Sequence, residues 1–479
     1  MSDSSSQRPP PAPPRAGWTR LAGAWAGHRL GTVFRSLRRP SYRAYFLGQG
    51  VSLVGTWIQN TARGWLVYEL TGSAFMLGLV AFCGQIFSFF MTPLAGVLAD
   101  RFNRRSMILV TQSLATAQAL LLGILALTGL IEVWHIITLS LFAGIVSAFD
   151  IPARQSFVAD MIGDKEDFGN AIALNSSLFN IARIIGPMIG ALLIAAGNRL
   201  AQAAGLSQSV PHAGAGICFV INAASFGAII WVLAKMDIPP RQVRPLPARQ
   251  MLSNMREGFS YAFSHPGIGS ILLLLAGVSM LAMPFQELLP IFAKDILGGG
   301  AQVYGYLLSA TGAGAFAGAI LLAARRRMEG LGKLMAVAVG IVGLAMMMFS
   351  QSRLLWLSLL LVLVAGFGMM VRGAGANTLI QMLVDDDKRG RVVSIYIMAQ
   401  MGVAPFGNLI QGYLARLFGA PAVVLVAGLL CLAAAVWFAR RLPAIQRHLQ
   451  FQRVCPALTA LEAEMAAIPA SIENPADRL

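Results

Sequence analysis

The sequence predicts an all-α membrane protein: twelve transmembrane helices in two parallel-repeat halves of six. Three observations predict it. Apolar blocks about 20 residues long recur along the chain, the length an α-helix needs to cross the hydrocarbon layer. Arginines gather on alternate connections between these blocks. Similar stretches recur in the two halves at nearly one offset.

Composition sets the solvent. Of 479 residues, 56% are hydrophobic and 12% charged, about half the charged fraction of soluble domains (about 25%). The surplus apolar surface calls for lipid. The net charge of +16 does not indicate nucleic acid, because the basic residues lie between apolar blocks and not on one polar domain. Cys83, Cys218, Cys431 and Cys455 are scattered without metal-ligand spacing and read as packing residues. Neither His135 nor His212 is expected to bind metal, and no phosphate-binding Gly-rich motif appears. No cofactor is expected.

Residues 1–40 are rich in Ser, Pro and Arg and read as a disordered tail. The apolar blocks then fall at 44–68, 74–98, 106–131, 133–156, 168–197, 213–234, 267–293, 301–324, 334–350, 354–384, 392–415 and 420–439. They give an N-terminal half over 41–234 and a C-terminal half over 267–440. Helices are required because open strands leave backbone groups unpaired in lipid. Between the halves, 235–266 opens as a Pro/Arg-rich linker. It continues with Leu252, Met255, Phe259 and Phe263 at helical spacing, which predicts an amphipathic helix on the membrane surface. Residues 441–479 form a tail with one small helix.

The face that carries both termini holds Arg35, Arg38, Arg39 and Arg43; Arg101, Arg104 and Arg105; Arg241, Arg244 and Arg249; Arg325, Arg326 and Arg327; Lys388, Arg389 and Arg391; and Arg440 and Arg441. The other face offers Arg199, Lys294, Arg353 and Arg416. The positive-inside rule therefore places both termini in the cytoplasm.

The halves echo each other in one direction. The stretch from Gly163 resembles that from Asp385, Gly186 matches Gly407, and Gln59 aligns with Gln286. An even number of spans per half keeps both copies in one orientation, a known transporter plan.

The loop "GVLADRFNRR" supplies a motif: Gly96, Asp100, Arg101, Arg104 and Arg105, with Asn103 tolerating the left-handed backbone of a tight turn. Its arginines can pair with acids of the next loops such as Asp160, latching the cytoplasmic side, or can serve topology alone. It resembles the loop motif of the major facilitator superfamily. In the fifth block, Gly186, Pro187 and Gly190 resemble that superfamily's antiporter motif, with Ala173, Ala182 and Ala191 where the motif has Gly. An ordinary proline kink with close helix packing is the other reading. Over 41–440 the chain is similar to the drug:proton antiporter branch that includes enterobactin-type siderophore exporters and macrolide efflux proteins. The resemblance implies the major facilitator fold, a place in a bacterial inner membrane, and proton-driven export of small amphipathic molecules, of siderophore or multidrug-resistance type.

Arg63, Asp150, Arg183, Glu287 and Arg372 lie inside the blocks. Each such charge costs about 2.5–3.5 kcal/mol on insertion scales, so each is expected to face the interior and find a partner. The repeat puts Arg372 on the equivalent of Asp150. This predicts an inner gate of Asp150 with Arg372 and an outer one of Arg63 with Glu287. Glu287 is the first candidate proton carrier and Asp150 the second, since a desolvated carboxylate holds a proton more readily and a nearby arginine reverses this; a purely structural ion pair is the alternative. Gln59, Asn60, Asn175, Asn180, Gln286, Asn377 and Gln400 are candidate cavity amides or interhelical glue, and Trp57, Phe285 and Tyr396 candidate stacking surfaces.

The expected partners are thus a small-molecule substrate, protons and the lipid bilayer, with the chain a monomer. An uncoupled facilitator or importer stays open. A membrane enzyme is disfavoured, because no His/Asp cluster or carboxylate pair gathers at one face.

Overall fold

The computed structural model describes residues 35–101, 103–162, 165–236, 248–325, 330–385 and 388–466. The expected N-terminal tail before residue 35, the Pro/Arg stretch of the linker and the last thirteen residues of the C-terminal tail (467–479) lie outside the described residues.

Every regular element among the described residues is helical. The first half comprises α1 (Pro40–Thr71), α2 (Ala74–Arg101), α3 (Arg104–Leu127), α4 (Val133–Ile162), α5 (Lys165–Ala203) and α6 (Ala213–Lys235). A linker helix follows, α7 (Ala248–Ser264). The second half comprises α8 (Pro266–Ala282), α9 (Ala301–Ala324), α10 (Leu331–Gln351), α11 (Leu355–Leu383), α12 (Arg389–Ile397), α13 (Ala404–Phe418) and α14 (Ala420–Ala466).

Local chemistry sets the ends. Pro40 starts α1, where a missing N–H costs nothing. Gly72 ends it at φ 58°, its amide bonded to the Tyr68 carbonyl at 2.8 Å. Asn103 departs from expectation. Its φ is −62° and its side chain accepts from the amides of Arg105 (3.0 Å) and Ser106 (3.3 Å). It is an extended N-cap of α3, because a short amide satisfies orphan helix donors better than it fills a left-handed turn.

Two predicted spans are interrupted. The seventh runs through α8 and then a 3-10 turn at Pro284–Leu288 and a π-turn at Phe292–Ile296. Pro284 and Pro290 remove the amides a regular α-helix would need. The eleventh joins α12 to α13 through a π-turn at Met398–Gly402, just before Pro405. α14 extends beyond the predicted tail boundary to Ala466, although its apolar portion ends at Pro443.

Ten of these rods are long and apolar enough to cross a membrane. With α1 and α2 they make the twelve-helix bundle. Between helices in lipid, close packing replaces the hydrophobic drive. At the α10–α14 crossing, a Cβ on Gly343 would sit 2.6 Å from the Gly428 carbonyl oxygen, and one on Gly428 would sit 2.7 Å from that of Gly343.

We call the end carrying Arg35, Arg104 and Arg391 the basic end and its opposite the far end. The two halves meet through α5 with α9 and through α2 with α13. Phe75 packs on Tyr413, and Phe82 and Phe89 on Phe406, with ring centroids 5.8–6.2 Å apart. A Cβ on Gly412 would lie 2.9 Å from the Ala74 carbonyl oxygen. Along α5–α9 the described close approaches run from Gly305 against Pro187 to Gly312 against Arg183. Both seams therefore extend from the far end to mid-depth.

At the basic end each half is tied to itself. Arg35 and Arg39 both pair with Asp167. The linker helix docks on the second half: Glu257 pairs with Arg391, and the Tyr261 hydroxyl donates to Asp385 at 3.0 Å. Of its predicted apolar face, Phe259 packs against the core and Phe263 is exposed; the side chains of Leu252 and Met255 are outside the described residues.

Candidate functional site

The far-end closure gathers groups from α1 and from the segment after α8. The Tyr68 hydroxyl donates to Asp295 across the seam, and Lys294 lies 5.7 Å over the Tyr68 ring. Trp65 stacks on Tyr304 of α9 at 6.3 Å and 26°. Gly64 leaves room for the Tyr304 hydroxyl, which a Cβ would meet at 2.6 Å. Arg63 and Glu287 lie half-buried beside this closure in sequence, within one another's field, and Arg63 Nη1 lies 3.5 Å from where a Cβ on Gly84 of α2 would sit. No hydrogen bond or contact ion pair between them is seen among the described residues. Asn60 and Gln286 are half-buried beside them in sequence. Tyr68 and Asp295 escaped the sequence reading because they sit at span ends, where polar groups are ordinary.

The expected Asp150–Arg372 pair is not formed. Asp150 is buried within the first half. It accepts from Thr111 Oγ1 (2.7 Å) and Gln112 Nε2 (2.9 Å) of α3 and pairs with Arg154 one turn along α4. Arg372 is fully buried within the second half, donating to the Leu275 carbonyl (2.9 Å), Ser279 Oγ (3.2 Å) and Gln400 Oε1 (3.4 Å). Each points into its own six-helix core; Asp150 is held by three neighbours there, whereas Arg372 keeps its Nε without a hydrogen-bond partner among the described residues. Arg154 was missed, although its i, i+4 spacing from Asp150 was a legible signal.

Several candidate amides are glue. Asn222 Nδ2 donates to Gln59 Oε1 (2.7 Å), and Gln59 Nε2 to Gln118 Oε1 (3.1 Å), linking α6, α1 and α3 inside the first half. Buried Asn180 donates to the Ser176 carbonyl at 2.8 Å, within α5. Asn377 accepts from Gln381 at 3.0 Å, and Asn175 from the Tyr42 hydroxyl at 3.4 Å. Phe285 is fully buried, edge-on to Phe349 at 6.1 Å, so it packs and offers no face to a ligand. Tyr396 is half-buried, its hydroxyl donating to the Gly373 carbonyl at 3.1 Å.

Arg183 differs from the other intramembrane charges. It lies mid-span on α5, half-buried, with its guanidinium 5.9 Å over the Trp57 ring. No ion pair from its guanidinium is seen among the described residues.

Of the loop motif, the side chains of Gly96, Asp100 and Arg101 lie outside the described residues. Arg104 donates to both oxygens of Asp160 at 2.8 Å, and Arg105 to the carbonyls of Leu233 (2.8 Å) and Ala234 (2.9 Å). These contacts clamp α3 to α4 and α6. Gly186 and Gly190 seat α5 against α1 at Trp57 and Ile58, while the Pro187 carbonyl faces Gly305 of α9.

The profile of one protein family, described as transmembrane secretion effector, matches residues 31–466. The chain is 24% identical over 403 residues to a staphyloferrin A transporter of Staphylococcus aureus, covering 83% of this chain and 96% of that one. It is 26% identical over 281 residues to the enterobactin exporter of Escherichia coli O1:K1 / APEC, covering 59% of this chain and 62% of the exporter's length. Among solved structures, a bacterial homolog of the human lysosomal transporter Spinster superposes with a TM-score of 0.66 at 14% identity, over 86% of this chain and 97% of that one. A POT family transporter superposes with a TM-score of 0.65 at 10% identity, over 85% and 97%.

Proposed function

We propose, because this chain belongs to the transmembrane secretion effector family of the major facilitator superfamily, that it exports small amphipathic molecules by proton-coupled alternating access. Membership makes it a multi-pass membrane transporter and not an enzyme; direction, coupling and cargo are the proposal. The basic end is the cytoplasmic face by the distribution of arginines. Halves that meet along seams running from the far end to mid-depth correspond to a conformation open to the cytoplasm, ready to load cargo for export.

The observation that carries the reading is the Arg63–Glu287 couple at the far-end closure. A carboxylate there feels the arginine only while the halves are together. Opening the far end separates α1 from the segment after α8 and changes the field at Glu287, so proton binding and closure are linked. The names of the relatives point to siderophore-type cargo.

Everted vesicles with an acid-inside gradient test this. Radiolabelled enterobactin or staphyloferrin A is expected to accumulate, protonophore is expected to abolish the accumulation, and Glu287→Gln is expected to uncouple it. Accumulation indifferent to the gradient would leave an uncoupled facilitator; uptake by right-side-out vesicles would leave an importer.

A further inference from the structure

Arg63, Arg154, Arg183 and Arg372 lie within the predicted apolar blocks, and their counter-groups differ. Arg63 faces Glu287. Arg154 is paired with Asp150. Arg372 donates to three neutral oxygens and is sealed in the core. Among the described residues Arg183 has only an aromatic face: the Trp57 ring beneath it, itself edge-on to Phe179 at 5.9 Å and 66°. A guanidinium does not shed its proton to escape such a setting. An intramembrane cation left without a protein anion needs one from elsewhere.

Its location says from where. The Arg183 carbonyl lies against Gly312 of α9, the deepest of the described α5–α9 approaches. One turn toward the basic end, Phe179 is 45% exposed. Arg183 and Trp57 thus stand where the seam between the halves gives way. A guanidinium fork suits a carboxylate or catecholate bidentately, and the Trp57 and Phe179 rings offer flat surfaces to the group that bears it.

We infer that Arg183, Trp57 and Phe179 form a cargo subsite for a planar organic anion, an aromatic or conjugated ring bearing an acidic oxygen. The inference rests on the transporter reading above and narrows its cargo: anionic and ring-bearing, not a lipophilic cation. A soluble ring acid, and not an anionic lipid headgroup, is the expected source, because a headgroup has no flat body for the two rings.

The test is equilibrium dialysis of the full-length protein in detergent with radiolabelled salicylate. Salicylate is expected to bind saturably and to be displaced poorly by neutral benzamide, by tetraphenylphosphonium and by phosphatidylglycerol. Arg183→Gln is expected to weaken binding at least about tenfold, the scale of losing hydrogen bonds to a charged group. Arg183→Lys keeps the charge but not the fork, so partial retention is expected. Trp57→Phe is expected to cost less than Arg183→Gln. Salicylate affinity unchanged in Arg183→Gln, or displacement by tetraphenylphosphonium or phosphatidylglycerol at lower concentration than by unlabelled salicylate, overturns the subsite. If Arg183→Gln does not fold, unchanged affinity in both Arg183→Lys and Trp57→Phe overturns it equally. Proton-driven efflux of enterobactin that survives Arg183→Gln intact removes the subsite and leaves the export reading. Arg183-dependent salicylate binding without any gradient-driven efflux does the reverse.

Discussion

Asp150 and Arg372 occupy equivalent depths in the two halves, and the halves satisfy them differently. In the first half an acid takes two polar donors from α3 and an arginine from its own helix. In the second half a lone arginine is held by a backbone carbonyl, a hydroxyl and an amide. The repeat has kept the position and changed the electrostatics. A pair in low dielectric fails badly when one member is removed, because the survivor is stranded. A cation on neutral acceptors leaves behind groups that lose a bond but carry no charge. The first half is therefore the more brittle of the two.

The sharpest test of that contrast is Asp150→Ala. It strands Arg154 and is expected to cost about 3–5 kcal/mol, read as a fall in the detergent melting midpoint; Asp150→Ala with Arg154→Met is expected to recover much of it. Arg372→Met is expected to cost less, about 1.5–3 kcal/mol; a larger loss than Asp150→Ala in the same melt would reverse the comparison. Tyr68→Phe removes the hydroxyl that bridges the halves at Asp295. Its expected cost is about 1 kcal/mol of far-end closure, read as faster labelling of a cysteine placed at Asn60, with little change in the melt. The smallest effect concerns the repeat-related loops. α3 is capped by the Asn103 side chain, whereas the N-cap of α10 is Gly330 at φ 73° with no side-chain cap. Asn103→Ala is expected to cost about 1 kcal/mol, while Gly330→Asn, which tolerates a left-handed backbone, is expected to change the melt by less.

Much of this architecture was legible in the residues. Block lengths read as spans because lipid forbids unpaired backbone, and Pro284, Pro290 and Pro405 were visible where the seventh and eleventh spans break. The pairing of Arg104 with Asp160 lay within reach of loop charges. Other features were not legible. Gln59 and Gln286 align in the repeat, yet Gln59 is consumed by Gln118 and Asn222 while Gln286 stays half-buried. Nothing in a one-dimensional pattern says which face of an apolar helix turns inward when both faces are greasy.

The sequence alone determined the medium, the number of rods, their helical nature and their arginine-marked faces, because each follows from hydropathy, length and charge along the chain. The tertiary structure alone decided which intramembrane charges meet. Asp150 chose Arg154 over Arg372, and Arg183 was left with a tryptophan, because partner choice depends on rotation about helix axes set by packing of small residues. That rotation leaves no trace in a stretch apolar on every side.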